Sequence, residues 1–144
     1  MFGVALIVLL ALLAGPAEAQ SCAPKAALER AIQNYGEQQV GYGVDYKSQS
    51  YVTIYASSSG SWTFLMTIKG QPKIICVVGT GNKFQHNPGG IVGFLEDGSM
   101  FNLTYRADGE WSLKYLDLKT MNWKSLSSGN SWEVLIAPGS LVGA

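Results

Sequence analysis

The stretch FNLTYRADGEWSLKY, residues 101–115, contains two runs in which apolar and polar side chains alternate. The first run is 101–105 and the second is 111–115, and the dipeptide Asp108-Gly109 stands between them. Alternation with a period of two places one set of side chains on each face of a strand. An Asp-Gly pair between two such runs is a strong short-range signal for a β-hairpin. The stretch therefore predicts two antiparallel strands joined by a tight turn.

Similar short runs, rich in β-branched and aromatic residues, occur along most of the chain and are separated by glycine-containing turns. In residues 61–68 the large apolar side chains Trp62, Phe64, Met66 and Ile68 share one face. Such repetition is typical of an antiparallel sheet. Further strands are predicted at 51–56, 73–79, 91–95, 121–126 and 131–136, with turns at 96–99 and 127–130.

One segment, residues 24–35, has a helical period instead. Leu28 and Ile32 share a face, Pro24 stands at the start, and Gly36 follows the end, as is usual for a helix. One helix followed by many strands predicts an α+β fold that is mostly β. We expect the N-terminal helix to pack on an antiparallel β-sheet or β-meander.

The amino terminus has the layout of a cleavable secretory signal. An unbroken apolar run, VALIVLLALLA, occupies residues 4–14, and the small-x-small triplet Ala17-Glu18-Ala19 follows. The run is too short to span a bilayer, and no later run approaches the roughly 20 residues of a membrane helix. We expect cleavage of residues 1–19 near Ala19, a secreted or periplasmic mature chain without an integral membrane segment, a single domain over 20–136, and a C-terminal tail over 137–144.

The chain has two cysteines, Cys22 and Cys76. In an oxidising compartment two cysteines persist as a disulfide, and two allow only one pairing. The bridge would close a loop of about 55 residues, for which the chain-entropy model gives roughly 4 kcal/mol as an upper figure. A redox-active pair is the weaker interpretation, because there is no C-x-x-C spacing and the apolar neighbours of Cys76 should bury it.

Charge and motifs exclude several classes of function. Ten Lys or Arg stand against ten Asp or Glu, or nine once Glu18 is removed, so the sequence shows no electrostatic footprint for nucleic acid or anionic membranes. One histidine and two paired cysteines give no tetrahedral metal set. The stretch GTGNKF lacks the third glycine and the following helix of a nucleotide-binding loop. No cofactor is therefore expected.

The single histidine, His86, lies in GTGNKFQHNPGG, residues 79–90, whose glycines and asparagines predict a loop. A solvated loop histidine is the ordinary interpretation. A general base would need an orienting carboxylate and a nucleophile close in space. The acidic residues of 96–97 and 108–110 fall in predicted turns, where they serve the backbone. We therefore predict a non-enzymatic protein and keep a small hydrolase using His86 as the alternative.

The motifs GSWTFLMT at 60–67 and CVVGTGNKF at 76–84 resemble a pattern in small secreted proteins of Gram-negative bacteria, whose functions are mostly unknown. That pattern is G-S-W-T-x-L, then C-V-V, then a glycine and often an aromatic residue. It also includes an early cysteine and a Tyr-Gly after the first helix, here Cys22 and Tyr35-Gly36. The resemblance covers residues 20–84. It implies secretion and the disulfide, and it implies no activity and no catalytic residue.

The remaining candidates for function are aromatic residues on the surface. Tyr42, Tyr46 and Tyr51 lie among Gly, Ser and Lys, a composition typical of adaptable contact surfaces. Half-buried strand tyrosines with solvated hydroxyls are the ordinary alternative. Phe84 and His86 form a second candidate patch. The sequence therefore predicts a domain that binds a protein, a cell-wall component or a glycan, with an inhibitor of a wall-degrading enzyme as a special case.

Overall fold

The computed structural model describes residues 21–141, so the predicted signal segment 1–19 lies outside the described residues. A short strand, β1 (Ser21–Pro24), and a helix, α1 (Lys25–Asn34), come first. Nine strands follow: β2 (Gln38–Val44), β3 (Tyr51–Ala56), β4 (Trp62–Ile68), β5 (Gln71–Asn87), β6 (Gly90–Phe94), β7 (Met100–Tyr105), β8 (Trp111–Asp117), β9 (Asn122–Gly129) and β10 (Glu133–Val134). Over residues 21–141 no helix has the length and apolar character needed to cross a membrane.

Strands β2 to β9 form an antiparallel meander in which each strand pairs with the next along the chain. The sheet then closes on itself, because residues 128–136 run antiparallel beside β2, with β10 paired to it. At one end of this contact the Tyr46 amide donates to the Ser128 carbonyl, and at the other the Leu135 amide donates to the Val40 carbonyl, both at 2.8 Å. Strand β10 thus continues β9, and β2 to β9 form an eight-stranded up-and-down barrel.

The predicted mostly-β fold with one helix on an antiparallel sheet is confirmed, with one difference at the amino terminus. Strand β1 precedes the helix and pairs with β5, so Cys22 lies in a strand. The helix ends as the sequence predicts, because Gly36 has a φ of 75° and donates its amide to the Gln33 carbonyl at 2.9 Å. The Glu37 amide donates to the Ile32 carbonyl at 3.3 Å, which completes a Schellman motif.

Two hydrophobic clusters lie on opposite faces of the barrel wall. The inner cluster fills the barrel with side chains from six of its strands and from Trp132. The outer cluster joins Leu28 and Ile32 of α1 to Leu65 of β4 and Ile75 of β5. Because Leu65 and Ile75 point outward, the helix covers apolar residues that the strand alternation would otherwise leave in water.

Aromatic rings occupy much of the barrel interior. Trp62, Phe64 and Phe101 pack edge to face with ring centroids 4.3–5.7 Å apart, and Trp111 lies 5.3 Å from Trp132. Edge-to-face packing is a favourable arrangement of aromatic rings. The Trp62 indole also donates to a backbone carbonyl, that of Asn82, at 3.0 Å.

These indoles fit because glycines face them from neighbouring strands. A Cβ atom at Gly93 would lie 2.6 Å from Trp62 Nε1, and one at Gly129 would lie 2.6 Å from Trp111 Nε1. A Cβ atom at Gly43 would lie 2.7 Å from that same Trp111 nitrogen. Separations below 3.0 Å are not tolerated by real side chains, so each indole requires a glycine opposite it.

This packing explains two wrong predictions. Most of the loop predicted at 79–90 is instead part of β5, which continues to Asn87 and pairs with β6, and only residues 88–89 form a turn. Gly79 and Gly81 stand opposite Phe64 and Trp62 in the β4 pairing and lie against the Trp62 ring, so they do not form a turn. The turn predicted at 127–130 begins too early, because β9 continues to Gly129.

The structure differs from the predicted strands near both ends of the domain. The sequence pattern did not predict β2, and the strand predicted at 131–136 is reduced to β10. Beyond β10, the Ser140 amide donates to the Ala137 carbonyl at 3.0 Å, and Leu141 packs against the inner cluster. The described part of the predicted tail therefore contacts the barrel.

The predicted disulfide is confirmed, since Cys22 and Cys76 are bonded and are direct cross-strand partners between β1 and β5. We expect the double variant Cys22→Ser/Cys76→Ser to lose up to about 4 kcal/mol of unfolding free energy, because the bridge closes a long loop in the unfolded chain. Denaturant unfolding of the variant and of the oxidised protein measures the difference. Equal free energies would show that pairing of β1 with β5 suffices without the bond.

The fit of indole to glycine gives a second prediction. Gly93→Ala should lose about 1–3 kcal/mol of unfolding free energy, because its methyl group overlaps the rings of Phe101 and Trp62. Gly79→Ala is the matched control, since a Cβ there would lie 3.5 Å from the same ring, an ordinary contact distance. We expect that control to stay within about 0.5 kcal/mol of the parent. Equal losses in the two variants, measured by denaturant unfolding, would contradict this account.

Candidate functional site

Strands β2 and β3 place two of the predicted tyrosines together on the outer face of the barrel. Gly41 and Gly43 face the interior tryptophans, so the alternation directs Tyr42 outward. The rings of Tyr42 and Tyr51 lie 6.3 Å apart, and Tyr51 is 53% exposed. Tyr46, on the loop that joins the two strands, is 68% exposed. We call Tyr42, Tyr46 and Tyr51 the tyrosine surface.

A buried carboxylate fixes the loop of the tyrosine surface. Asp45 Oδ1 accepts hydrogen bonds from the backbone amides of Lys47 and Ser48, each at 2.9 Å, and Asp45 Oδ2 accepts one from the Ser127 hydroxyl of β9. The Asp45 amide donates to the Ser50 carbonyl at 2.8 Å. The Asp45 carboxylate therefore connects the loop that carries Tyr46 both to the loop's own backbone and to strand β9.

Electrostatics keep Asp45 and Tyr42 each in one protonation state near neutral pH. Burial alone would raise the pKa of Asp45, but hydrogen bonds from Ser127, Ser48 and the Lys47 amide outweigh it and hold that pKa below its usual value. The Glu133 carboxylate raises the pKa of Tyr42. The Tyr42 hydroxyl, which donates to Glu133 Oε2 at 3.3 Å, therefore remains a hydrogen-bond donor.

The second candidate patch does not form an open loop and does not join the tyrosine surface. His86 stands opposite Ile91, whose side chain is buried in the inner cluster. His86 Nε2 lies 2.7 Å from the Tyr105 hydroxyl, and Tyr105 stacks on Trp132. Phe84 packs, half-buried, against the same cluster. Both residues therefore have structural partners inside the barrel.

This geometry lacks the arrangement that a histidine-based hydrolase requires. In the described part of the chain the side-chain hydrogen bond of His86 goes to a phenol, and no carboxylate orients its ring. Burial lowers the pKa of His86, so the ring is neutral near pH 7. Residues 21–141 also contain no group of three or more His, Cys, Asp or Glu side chains that could hold a metal ion.

Sequence reasoning missed a buried carboxylate beneath the helix end. Glu37 is 6% exposed, and its Oε1 accepts a hydrogen bond from the Thr63 hydroxyl at 2.8 Å. Burial raises the pKa of Glu37, and hydrogen bonds from Thr63 and Ser61 offset only part of that effect. Burial raises the pKa of Tyr35, and the nearby Glu37 carboxylate raises it further. The position of Glu37 after Gly36 is that of an ordinary turn residue, so its burial has no sequence signal.

These features define a class by structure alone: a small disulfide-bonded up-and-down barrel with an outer helix and an external tyrosine surface. Comparison of the chain with family profiles, with characterised proteins and with solved structures gives no match. The function therefore has to be argued from the surface of the barrel.

Removing the charge of Glu37 is expected to stabilise the protein at neutral pH but not at acidic pH. The folded pKa of Glu37 is raised, so its contribution to stability is fully present below the unfolded pKa of about 4.3 and is lost as the pH rises through the folded pKa. Glu37→Gln keeps an oxygen for Thr63 and removes the charge. We expect the variant to unfold at a higher denaturant concentration than the parent at pH 7 and to lose that advantage near pH 4.

The parent and the variant should be compared at each pH, because other carboxylates titrate in the same range. A variant that is less stable than the parent by the same amount at both pH values would show that the hydrogen bond matters more than the charge.

Proposed function

We propose that the mature chain is a secreted or periplasmic, non-enzymatic domain that binds a partner protein of the cell envelope through the tyrosine surface. The observation that supports this is the exposure of Tyr51 on β3 and of Tyr46 on a loop fixed by Asp45. A fixed loop loses little conformational freedom on binding, which favours affinity.

The chemistry of the surface favours a protein over other envelope ligands. Tyrosine gives a large amphipathic contact area at low entropic cost. Exposed Lys47 follows Tyr46, and Glu133 lies beside Tyr42. Both charge signs are present, so the surface selects no strongly charged partner. A wall component or a glycan is the other outcome that the experiment below distinguishes.

Secretion belongs to the same proposal. The Cys22–Cys76 bond is compatible with an oxidising compartment outside the cytoplasm. The apolar segment 4–14 and the resemblance to secreted Gram-negative proteins support it. Mass determination of the protein recovered from an envelope fraction tests it, because cleavage near Ala19 removes a defined mass.

The binding proposal predicts a specific loss on removing the rings. The mature oxidised protein is used to capture partners from an envelope extract, and the affinity is then measured with the purified partner. Tyr46→Ser/Tyr51→Ser should weaken binding by about tenfold or more, as expected for exposed aromatic anchors of an interface. Tyr46→Phe/Tyr51→Phe is the matched control, since it keeps the rings and should retain most of the affinity.

Three results would contradict the proposal. Binding that is unchanged by the serine variant but lost in His86→Gln would assign the site to the second candidate patch, Phe84 and His86. Turnover of a wall or ester substrate that depends on His86, with no saturable binding, would establish the hydrolase alternative. Capture of isolated wall polysaccharide, without protein, would keep the surface but change its ligand class.

A further inference from the structure

The hairpin of β8 and β9 extends beyond the point where the barrel closes. Contact of β9 with β2 begins at Ser128, so residues 122–125 pair with β8 alone. These four residues are exposed, and so is Leu126, which stands at a shift in that register. We call residues 114–126 the hairpin tip. Nothing else among the described strands lies against the free edge of this segment.

The hairpin tip exposes an unusual group of apolar side chains. Met121 is 65% exposed and Trp123 is 45% exposed, and Leu118 and Leu126 are exposed as well. Leu116 stands directly opposite Trp123 across the two strands. These residues share one end of one hairpin, in contrast to the isolated exposed apolar residues that are normal on a soluble surface.

The turn itself does not account for the methionine. Asp117 closes the turn, because its carbonyl accepts from the Met121 amide at 2.7 Å and its carboxylate accepts from the Lys119 amide at 2.9 Å. Met121 has a φ of 58°, in the left-handed region that glycine and asparagine adopt most easily. An exposed apolar side chain therefore stands where local backbone energetics favour a small or polar residue.

The charges of the hairpin tip are predominantly positive. Three lysines, Lys114, Lys119 and Lys124, stand against one acid, Asp117. Lys124 pairs with Asp117 at 2.8 Å, which leaves Lys114 and Lys119 exposed without a salt bridge among the described residues. The exposed acids Glu96 and Asp97 lie on the adjoining turn, where the Ser99 hydroxyl donates to the Leu116 carbonyl, so the positive excess is confined to the hairpin tip itself.

We propose that the hairpin tip docks on the surface of an anionic phospholipid bilayer. Met121 and Trp123 enter the boundary between head groups and acyl chains, where tryptophan is favoured, and Lys114 and Lys119 face the lipid phosphates. The positive charge favours this occupant over a second copy of the chain, because pairing two hairpin tips would bring their lysines together. The proposal is independent of the tyrosine surface.

The tryptophans provide a direct readout. The chain has four, and Trp62, Trp111 and Trp132 are buried inside the barrel, so Trp123 is the exposed one. The full mature protein is mixed with phosphatidylcholine vesicles that contain or lack phosphatidylglycerol. With the anionic lipid we expect co-sedimentation, a blue shift of the emission and quenching by brominated acyl chains, all weakened by salt. Trp123→Phe should remove the shift.

Three variants test the contacts separately. Met121→Asn suits the left-handed turn position, so it should fold at least as well as the parent and yet bind vesicles at least threefold more weakly. Lys114→Gln/Lys119→Gln should lose about fivefold in binding for each lysine. Leu135→Ser is the matched control, since Leu135 is exposed to a similar extent in the segment that follows β10, and its binding should equal that of the parent.

Absence of co-sedimentation with anionic vesicles at low salt would overturn the proposal. So would vesicle binding that is equal in the parent and in the Met121 and lysine variants. Self-association of the lipid-free protein that Trp123→Phe or Met121→Asn abolishes would assign the hairpin tip to a second copy. None of these results depends on whether the tyrosine surface binds a protein.

Discussion

The fit between indole rings and glycines sets the geometry of this barrel. Trp62 occupies space that Gly81 and Gly93 leave free, and Trp111 occupies space left by Gly43 and Gly129. The Trp111 and Trp132 indole nitrogens have no hydrogen-bond partner within residues 21–141, so packing fixes these rings. A register shift of one residue would direct a side chain into a ring, so the packing of rings against glycines specifies the strand pairing.

Barrel closure depends on the same fit and in turn positions the tyrosine surface. Because Gly43 and Gly129 both face Trp111, β2 and the end of β9 come together around that one ring. Their meeting brings Ser127 to Asp45, whose carboxylate then shapes the loop that presents Tyr46. The packing of glycines against Trp111 thereby determines the form of the tyrosine surface outside the barrel. The hairpin tip is the part of β8 and β9 that extends past the contact between β2 and β9.

Much of the fold could be predicted from the sequence where local patterns decide the structure. The alternation around Trp62, the Asp108-Gly109 turn and the helix ended by Gly36 all agree with the structure, and so does the disulfide. The missed strand β2 and the loop predicted at 79–90 have one source. Glycine usually indicates a turn, but in β2 and β5 it faces an aromatic ring from another part of the chain, which no local pattern shows.

The candidate site could be predicted only in part for the same reason. The tyrosines were recognisable by composition, and two of them do lie in ring contact. The support from Asp45 needs Ser127, which is distant in sequence, and the inward direction of His86 needs the pairing of β5 with β6. Such long-range contacts have no local signature.

The closure of the barrel by its last residues has a consequence for how the chain must fold. The edge of β2 stays open until residues 128–136 arrive, although β2 is formed from the first third of the sequence. A nascent or truncated chain therefore presents an unpaired strand edge and unfilled space beside Trp111. Final assembly waits for the carboxyl-terminal segment, so folding is dominated by a long-range contact and is expected to be slow for a domain of this size.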